Sequence, residues 1–367
     1  MPLLNSYVIW NNKGGVGKTT LTFHMATQYA KHFPNRKVLV LDLCPQANVS
    51  MSLLTPQDKK LRGTSSSLTE CFTQEKTISF YLQKFSTPQT TIDPRAFLTN
   101  VSSFNSRMPP NIELLCGDMQ LELIGRNMDH KRREDPFPHH NPWVFITSCV
   151  RYFLEGYGAS MQGITQNEED WVVFIDTNPS FSIYTEMALL AAERLIIPIN
   201  ADDFSREAIV AMLDLVYGID LHNIPTQFQH CKKRMFSHKA QEYDVRRPKI
   251  HLLINNRVTT YNLRSVAAFG DMATSSLSVL AAAYDNHSEC FVPRPPTTSP
   301  SRNPLPAINH YLIDVQDFHT TGILSLYTGC PLDDLKGKVQ LFSKVVDASK
   351  DQVARYIPIL RALIEKL

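Results

Sequence analysis

The stretch WNNKGGVGKTT at residues 10–20 constrains the fold of this chain more than any other. An apolar run at residues 7–10 leads into it. A run whose Leu21, Met25, Ala26, Tyr29 and Ala30 share one helical face leads out of it. A glycine-rich segment between a strand and a helix is a phosphate-binding loop. Gly14, Gly15 and Gly17 let the backbone curl until successive N–H groups point at phosphate oxygens, and the helix starting near Lys18 adds its positive N-terminal end. Lys18 is placed to meet β and γ phosphates and the Thr19 hydroxyl to bind Mg²⁺, with Val16 and Thr20 completing a nucleotide-binding loop over residues 13–20. Lys13 is one lysine more than such a loop needs. Asn12 stands where the general pattern G-x-x-x-x-G-K-[ST] has its first glycine.

The rest of the chain keeps the same rhythm. Apolar runs at residues 38–43, 112–115, 172–175, 195–199 and 250–254 suit central strands of a parallel sheet covered on both faces. Pro34 and Asn35 stop the first helix before the second strand. Right-handed crossover then predicts an α/β fold, a doubly wound, mostly parallel sheet flanked by helices. The 367 residues, 43% hydrophobic, are expected to form one domain, 1–367, with insertions at about 55–110, 128–142 and 283–310. The first is rich in Ser, Thr and Pro, with a short helix near residues 68–72. The second, with HKRRE and PFPHHNP, reads as a charged loop. The third contains PRPPTTSPSRNPLP, which cannot form regular structure.

Composition narrows the function. Lys and Arg total 37 against 35 Asp and Glu, so the net charge of +2 creates no global field for nucleic acid or membrane. Seven cysteines are scattered without C-x-x-C or a Cys/His cluster, which argues against zinc or an iron–sulfur centre and fits a reducing compartment. MPLLNSYVIW reads as a first strand and not a signal peptide, and no apolar run approaches the roughly 20 residues of a membrane span. A cytoplasmic location is expected.

KGGVGKTT resembles the deviant Walker A motif of the ParA/MinD family, a group of P-loop ATPases. The resemblance implies ATP and Mg²⁺ as cofactors. It makes Lys13 the signature lysine that reaches across an ATP-dependent homodimer to the partner's phosphates. WVVFIDTNPS at 171–180 is similar to the family's Walker B strand, which implies that Asp176 holds a water on Mg²⁺. TEMALLAAERLIIPINADDFSREAI at 185–209 resembles the helix, strand and loop that follow. LLINNR at 252–257 ends where the family places an adenine-contacting asparagine, here Asn255, with Asn256 as second candidate. DFHTTGILSLYTGCPLDDLKG at 317–337 resembles the last strand-to-helix region.

One segment departs from the pattern. The family reads L-D-x-D-P-Q-x-N, and its second Asp positions the attacking water; LDLCPQANVS at 41–50 has Cys44 there. A thiol is a poor acceptor and stays mostly neutral near pH 7. Losing a positioned acid–base group costs about 10²–10⁴ in rate. Gln46 or Asn48 can orient a water instead, as a Gln does in some GTPases, and Asp42 supports the metal or the switch loop. The catalytic candidates are therefore Lys13, Lys18, Asp42 and Gln46, in a slow dimerising ATPase that positions a cargo. The alternative is a non-hydrolysing interaction module in which ATP is structural.

Two further segments bear on partners. QHCKKRMFSHKAQEYDVRRPK at 229–249 holds seven Lys/Arg against two acids, with Phe236 and Tyr243 interleaved. Lys232, Lys233, Arg234, Arg246 and Arg247 are candidate nonspecific DNA contacts, with a solvated surface as the alternative. The last stretch, DQVARYIPILRALIEKL, is amphipathic through Val353, Ile357, Leu360, Ile364 and Leu367 but lacks the basic face of a membrane anchor. It is expected to pack back on the domain.

Overall fold

The apolar runs become strands because both faces of the sheet are covered by helices. The computed structural model describes residues 5–55, 66–87, 92–136, 138–161, 171–200, 203–221, 229–258, 260–261, 264–265, 267–294, 308–316, 318–341, 344–347 and 350–367. Strand β1 (Ser6–Ile9) runs through the loop at 10–17 into helix α1 (Lys18–His32) and back to β2 (Lys37–Leu43). Helices α2 (Asn48–Leu53), α3 (Ser66–Thr73) and α4 (Ile78–Phe85) precede β3 (Thr99–Asn100) and β4 (Ile112–Leu115). Then α5 (Gln120–Lys131), α6 (Pro142–Thr147) and α7 (Cys149–Met161) lead to β5 (Trp171–Thr177). Helix α8 (Ile183–Ala191) connects to β6 (Arg194–Asn200). Helices α9 (Asp203–Met212), α10 (Gln229–Lys232) and α11 (Phe236–Glu242) precede β7 (Lys249–Val258). A short pair, β8 (Thr260–Tyr261) and β9 (Arg264–Ser265), and α12 (Ala267–Asn286) come before β10 (Leu312–Gln316). Helix α13 (His319–Thr328), the hairpin β11 (Lys338–Leu341) and β12 (Lys344–Asp347), and α14 (Lys350–Ile364) close the chain.

The main sheet has the order β10-β7-β6-β1-β5-β2-β4-β3, parallel throughout except for the antiparallel edge strand β3. Alternation along β2 sets the two layers. Val38 and Val40 face a core that includes Leu21, Met25 and Tyr29 of α1, while Leu39 and Leu41 face the opposite core with Met187 and Leu190 of α8. Each such fully buried side chain contributes about 1.5–3 kcal/mol. The C-terminal helix behaves as expected: Tyr356, Leu360, Leu363 and Ile364 are buried in the same core as α1.

The segments read as insertions carry more structure than their composition suggests. Residues 66–73 extend the expected short helix, and β3 adds a strand to the sheet edge. The charged stretch at 128–142 is not simply a loop, because α5 continues to Lys131. Arg132 then pairs with Glu186 of α8 and with Asp129. Glu186 is 6% exposed and needs that cation, which ties the charged stretch to the core. Residues 283–286 end α12 and residues 308–310 form one 3-10 turn; the Pro-rich 295–307 lies outside the described residues. In the basic stretch, Phe236 is 3% exposed and meets Trp143 and Phe181, and Tyr243 meets Trp143. Its aromatics are used in packing rather than offered to a base.

Candidate functional site

The carboxyl ends of β1, β2 and β5 bring the motif residues together. Gly17, with φ of +88°, caps α1 in the left-handed region. A Cβ there would fall 2.2 Å from Asn256 Nδ2, which donates to the Val16 carbonyl at 2.8 Å. Asn256 thus clamps the loop from the end of β7. Lys18 folds back under the loop, its Nζ donating to the Lys13 carbonyl at 2.8 Å and the Asn11 carbonyl at 3.2 Å. Asn11 is itself fixed by donating to the Pro198 carbonyl at 2.7 Å and accepting the Lys13 N–H at 3.1 Å. Burial lowers the Lys18 ammonium to about 8, against the attraction of Asp176 and Cys44.

Asp176 accepts the Thr19 hydroxyl at 2.8 Å and the Thr22 hydroxyl at 3.2 Å. It sits in register beside Asp42 on the neighbouring strand. Burial, and then Asp42, raise its carboxyl to about 7; the two hydroxyls and Lys18 oppose the shift. Asp42 accepts the Cys44 N–H at 3.1 Å, the Ser50 N–H at 3.0 Å and the Ser50 hydroxyl at 2.7 Å. The Ser50 Oγ accepts the Gly117 N–H at 3.0 Å, so Asp42 also ties the loop after β2 to the end of β4. Burial pushes the Cys44 thiol up to about 12, with Asp42 and Asp176 adding to the effect. A thiol held there is neutral and cannot act as a base.

These groups surround a cleft of about 640 Å³, lined by Gly14, Gly15, Gly17, Lys18, Thr19, Thr20, Cys44, Gln46 and Asn48 together with Glu122, Asn178 and Tyr184. The Thr19 hydroxyl and the Asp176 carboxylate supply adjacent hard oxygens of the kind Mg²⁺ takes. Gln46 is exposed and accepts the Asn48 amide at 3.0 Å. Lys13 is half-buried and is not among the lining residues. Asn255 turns to the other side of β7, where its Nδ2 donates to Asp314 of β10 at 2.9 Å. Of the five basic candidates, Lys232 pairs with Asp220 at 2.5 Å and Arg246 with Glu193 at 3.0 Å. Arg247 donates to the Tyr217 carbonyl at 3.1 Å, and Lys233 and Arg234 are exposed. The structure adds Asn11, Thr22, Ser50, Glu122, Asn178 and Tyr184 to the site. Asn11, Ser50 and Asn178 lie within the stretches 10–20, 41–50 and 171–180 that carry the motifs, whereas Thr22, Glu122 and Tyr184 lie outside them.

A family model described as an AAA domain (AAA_31) matches residues 5–124 and 159–228, more than half of the chain. The chain belongs to this family, the ParA/MinD type of P-loop domain. This ParA/MinD-type chain is 26% identical over 207 residues to the uncharacterized protein Rv1708 of Mycobacterium tuberculosis, covering 56% of the chain and 50% of that protein. It is 24% identical over 216 residues to the uncharacterized protein MJECL24 of Methanocaldococcus jannaschii, covering 59% of the chain and 66% of the relative. The chain thus spans about half the length of the first of these relatives. Among solved structures, apo McdA from Cyanothece superposes with a TM-score of 0.56 at 12% identity, over 97% of this chain and 99% of McdA. The ATP complex of a McdA variant gives 0.55 at 13% identity, over 98% and 96%. Both likenesses are of fold. Among the described residues no helix is long and apolar enough to cross a membrane.

Proposed function

We propose that this chain is an ATP-binding, Mg²⁺-dependent switch ATPase of the ParA/MinD type, whose subunits pair around ATP to position a cargo and reset by slow hydrolysis. The observation that carries the reading is the convergence of Thr19 on Asp176 at 2.8 Å beneath a loop whose Gly15 and Gly17 have positive φ. Loop N–H groups and the start of α1 hold the phosphates. Lys18, already bound to loop carbonyls, is positioned to exchange them for phosphate oxygens. Thr19 and Asp176 would hold Mg²⁺, which when bound would offset phosphate charge. Lys13 completes the partner's site, as an arginine finger does elsewhere. Asn256, whose amide faces the loop, is the better placed of the two asparagines for the nucleotide side. Asn255 is occupied with Asp314. Internal pairing of Lys232, Arg246 and Arg247 weakens the basic face of residues 229–249, so a DNA contact is not part of the proposal.

The test is solution mass by light scattering with Mg²⁺ and ATP, with ADP, and without nucleotide. A mass near twice 41.7 kDa only with ATP is expected, lost in Lys13→Ala. A monomer under all three conditions overturns the pairing. A second reading, a non-hydrolysing module, is favoured by the neutral Cys44 thiol at the position of the missing carboxylate. It requires bound ATP to persist without phosphate release.

A further inference from the structure

Cys44 leaves the loop after β2 without a carboxylate at the cleft. Among the described residues lining it, Glu122 is the one that carries a carboxylate. It arrives from α5, a different element from the motif loops. A hydrogen-bonded relay fixes its position. Asn178, two residues beyond Asp176, donates from Nδ2 to the Tyr184 hydroxyl at 3.2 Å, and that hydroxyl donates to Glu122 Oε2 at 3.1 Å. Thr185 holds the far end by donating to Asn178 Oδ1 at 3.2 Å. Tyr184 is 6% exposed, and α5 reaches it because residue 125 is glycine: a Cβ there would press to 3.1 Å from the Tyr184 ring. The pairing of Glu122 with Arg126 at 3.8 Å on an exposed helix face contributes little. A surface ion pair needs no relay through the buried Tyr184; aiming a carboxylate at a cleft does.

We propose that Glu122 is the catalytic carboxylate of this chain, standing in for the acid absent at Cys44; this rests on the nucleotide-binding reading of the cleft. Glu122 accepts a hydrogen bond from a water and takes its proton as the water oxygen bonds to the γ-phosphorus. The bond from that phosphorus to the β–γ bridging oxygen breaks, and its electron pair leaves on ADP. The proton passes from Glu122 to the released phosphate. Tyr184 and Asn178 are positioning residues that act through Glu122.

The experiment uses the full chain. Affinity for a fluorescent ATP analogue is titrated, and phosphate release is measured across ATP concentrations up to saturating Mg²⁺ and ATP. Glu122→Gln is expected to keep nucleotide affinity within about twofold and to lower kcat at least about tenfold. Tyr184→Phe is expected to lower kcat less, with KM for ATP unchanged, and to lower it no further when combined with Glu122→Gln. Adding Cys44→Asp to Glu122→Gln is expected to return kcat to the wild-type value or above at unchanged nucleotide affinity. A wild-type kcat in Glu122→Gln, or no rescue in the double variant, overturns the assignment. Wild-type protein that binds the analogue but releases no phosphate overturns it as well, while leaving the nucleotide reading intact. Failure to bind the analogue removes both.

Discussion

Cys44→Asp restores the carboxylate of the family pattern, and the structure sets both what it gains and what it costs. The thiol at this position is raised from its ordinary 9.0 to about 12, by burial first and then by Asp42 and Asp176. At about 1.4 kcal/mol for each tenfold, an anion at residue 44 is about 4 kcal/mol less stable than in water. An aspartate escapes part of that cost by staying protonated, its carboxyl raised above the ordinary value of about 3.9 by the same burial and the same two neighbouring carboxylates. The sign follows. The folded value lies above the unfolded one, so the penalty is absent below about pH 4 and grows as pH rises through the raised folded value. Without nucleotide, the melting temperature of the variant should fall below that of the wild type increasingly from about pH 5 to pH 8. Saturating Mg²⁺ and ATP should recover part of the loss by binding the folded state.

Turnover should move the other way. A positioned acid–base group is worth about 10²–10⁴, and with Glu122 already at the cleft the expected gain is at the low end, about 10². Phosphate release at saturating nucleotide, with affinity and melting measured in parallel, reads both effects. Unchanged kcat together with an unchanged melting profile, at full nucleotide affinity, would refute the reasoning. Residue 44 would then face neither the reacting phosphate nor the two buried carboxylates.

Gly17→Ala puts a Cβ at φ +88° and 2.2 Å from Asn256 Nδ2. The strain of about 1–2 kcal/mol and the lost clamp on Val16 should lower the urea midpoint and weaken ATP binding at least about tenfold, by titration. Arg132→Met strands Glu186, whose side chain is 8% exposed. It should cost about 3–5 kcal/mol in urea unfolding, most of it recovered by adding Glu186→Leu. Burial lowers Lys18 from 10.5 to about 8, so stability without nucleotide should rise as pH climbs from about 8 towards 10.5. The charged ammonium is the phosphate-binding form, so ATP affinity should weaken as pH passes about 8; flat affinity to roughly pH 9.5 would contradict this.

What was legible in the sequence is what one β–loop–α unit decides by itself. The glycines, Lys18, Thr19 and Asp176 near the end of β5 take their places from local backbone geometry, so motif and site coincide. Asn255 and Asn256 show where that stops. They are adjacent in a strand and therefore face opposite sides, and only the packing of β7 between β6 and β10 decides which one meets the loop. The basic stretch fails for a related reason. A charge count includes Lys232 and Arg246 but cannot see Asp220 and Glu193, which reach them through the fold. Glu122 is the sharpest case. It lies over a hundred residues from the loop lysine, on a helix whose own sequence shows only an exposed i,i+4 pair, and its place at the cleft comes from Tyr184 and Gly125 at the contact between α5 and α8. A strand-end acid and a helix-borne acid are far apart in sequence, yet the sheet order presents both positions to one cavity. A motif with its carboxylate replaced by a thiol therefore does not imply a cleft without a base. The base can come from any element that the fold aims at the same phosphate.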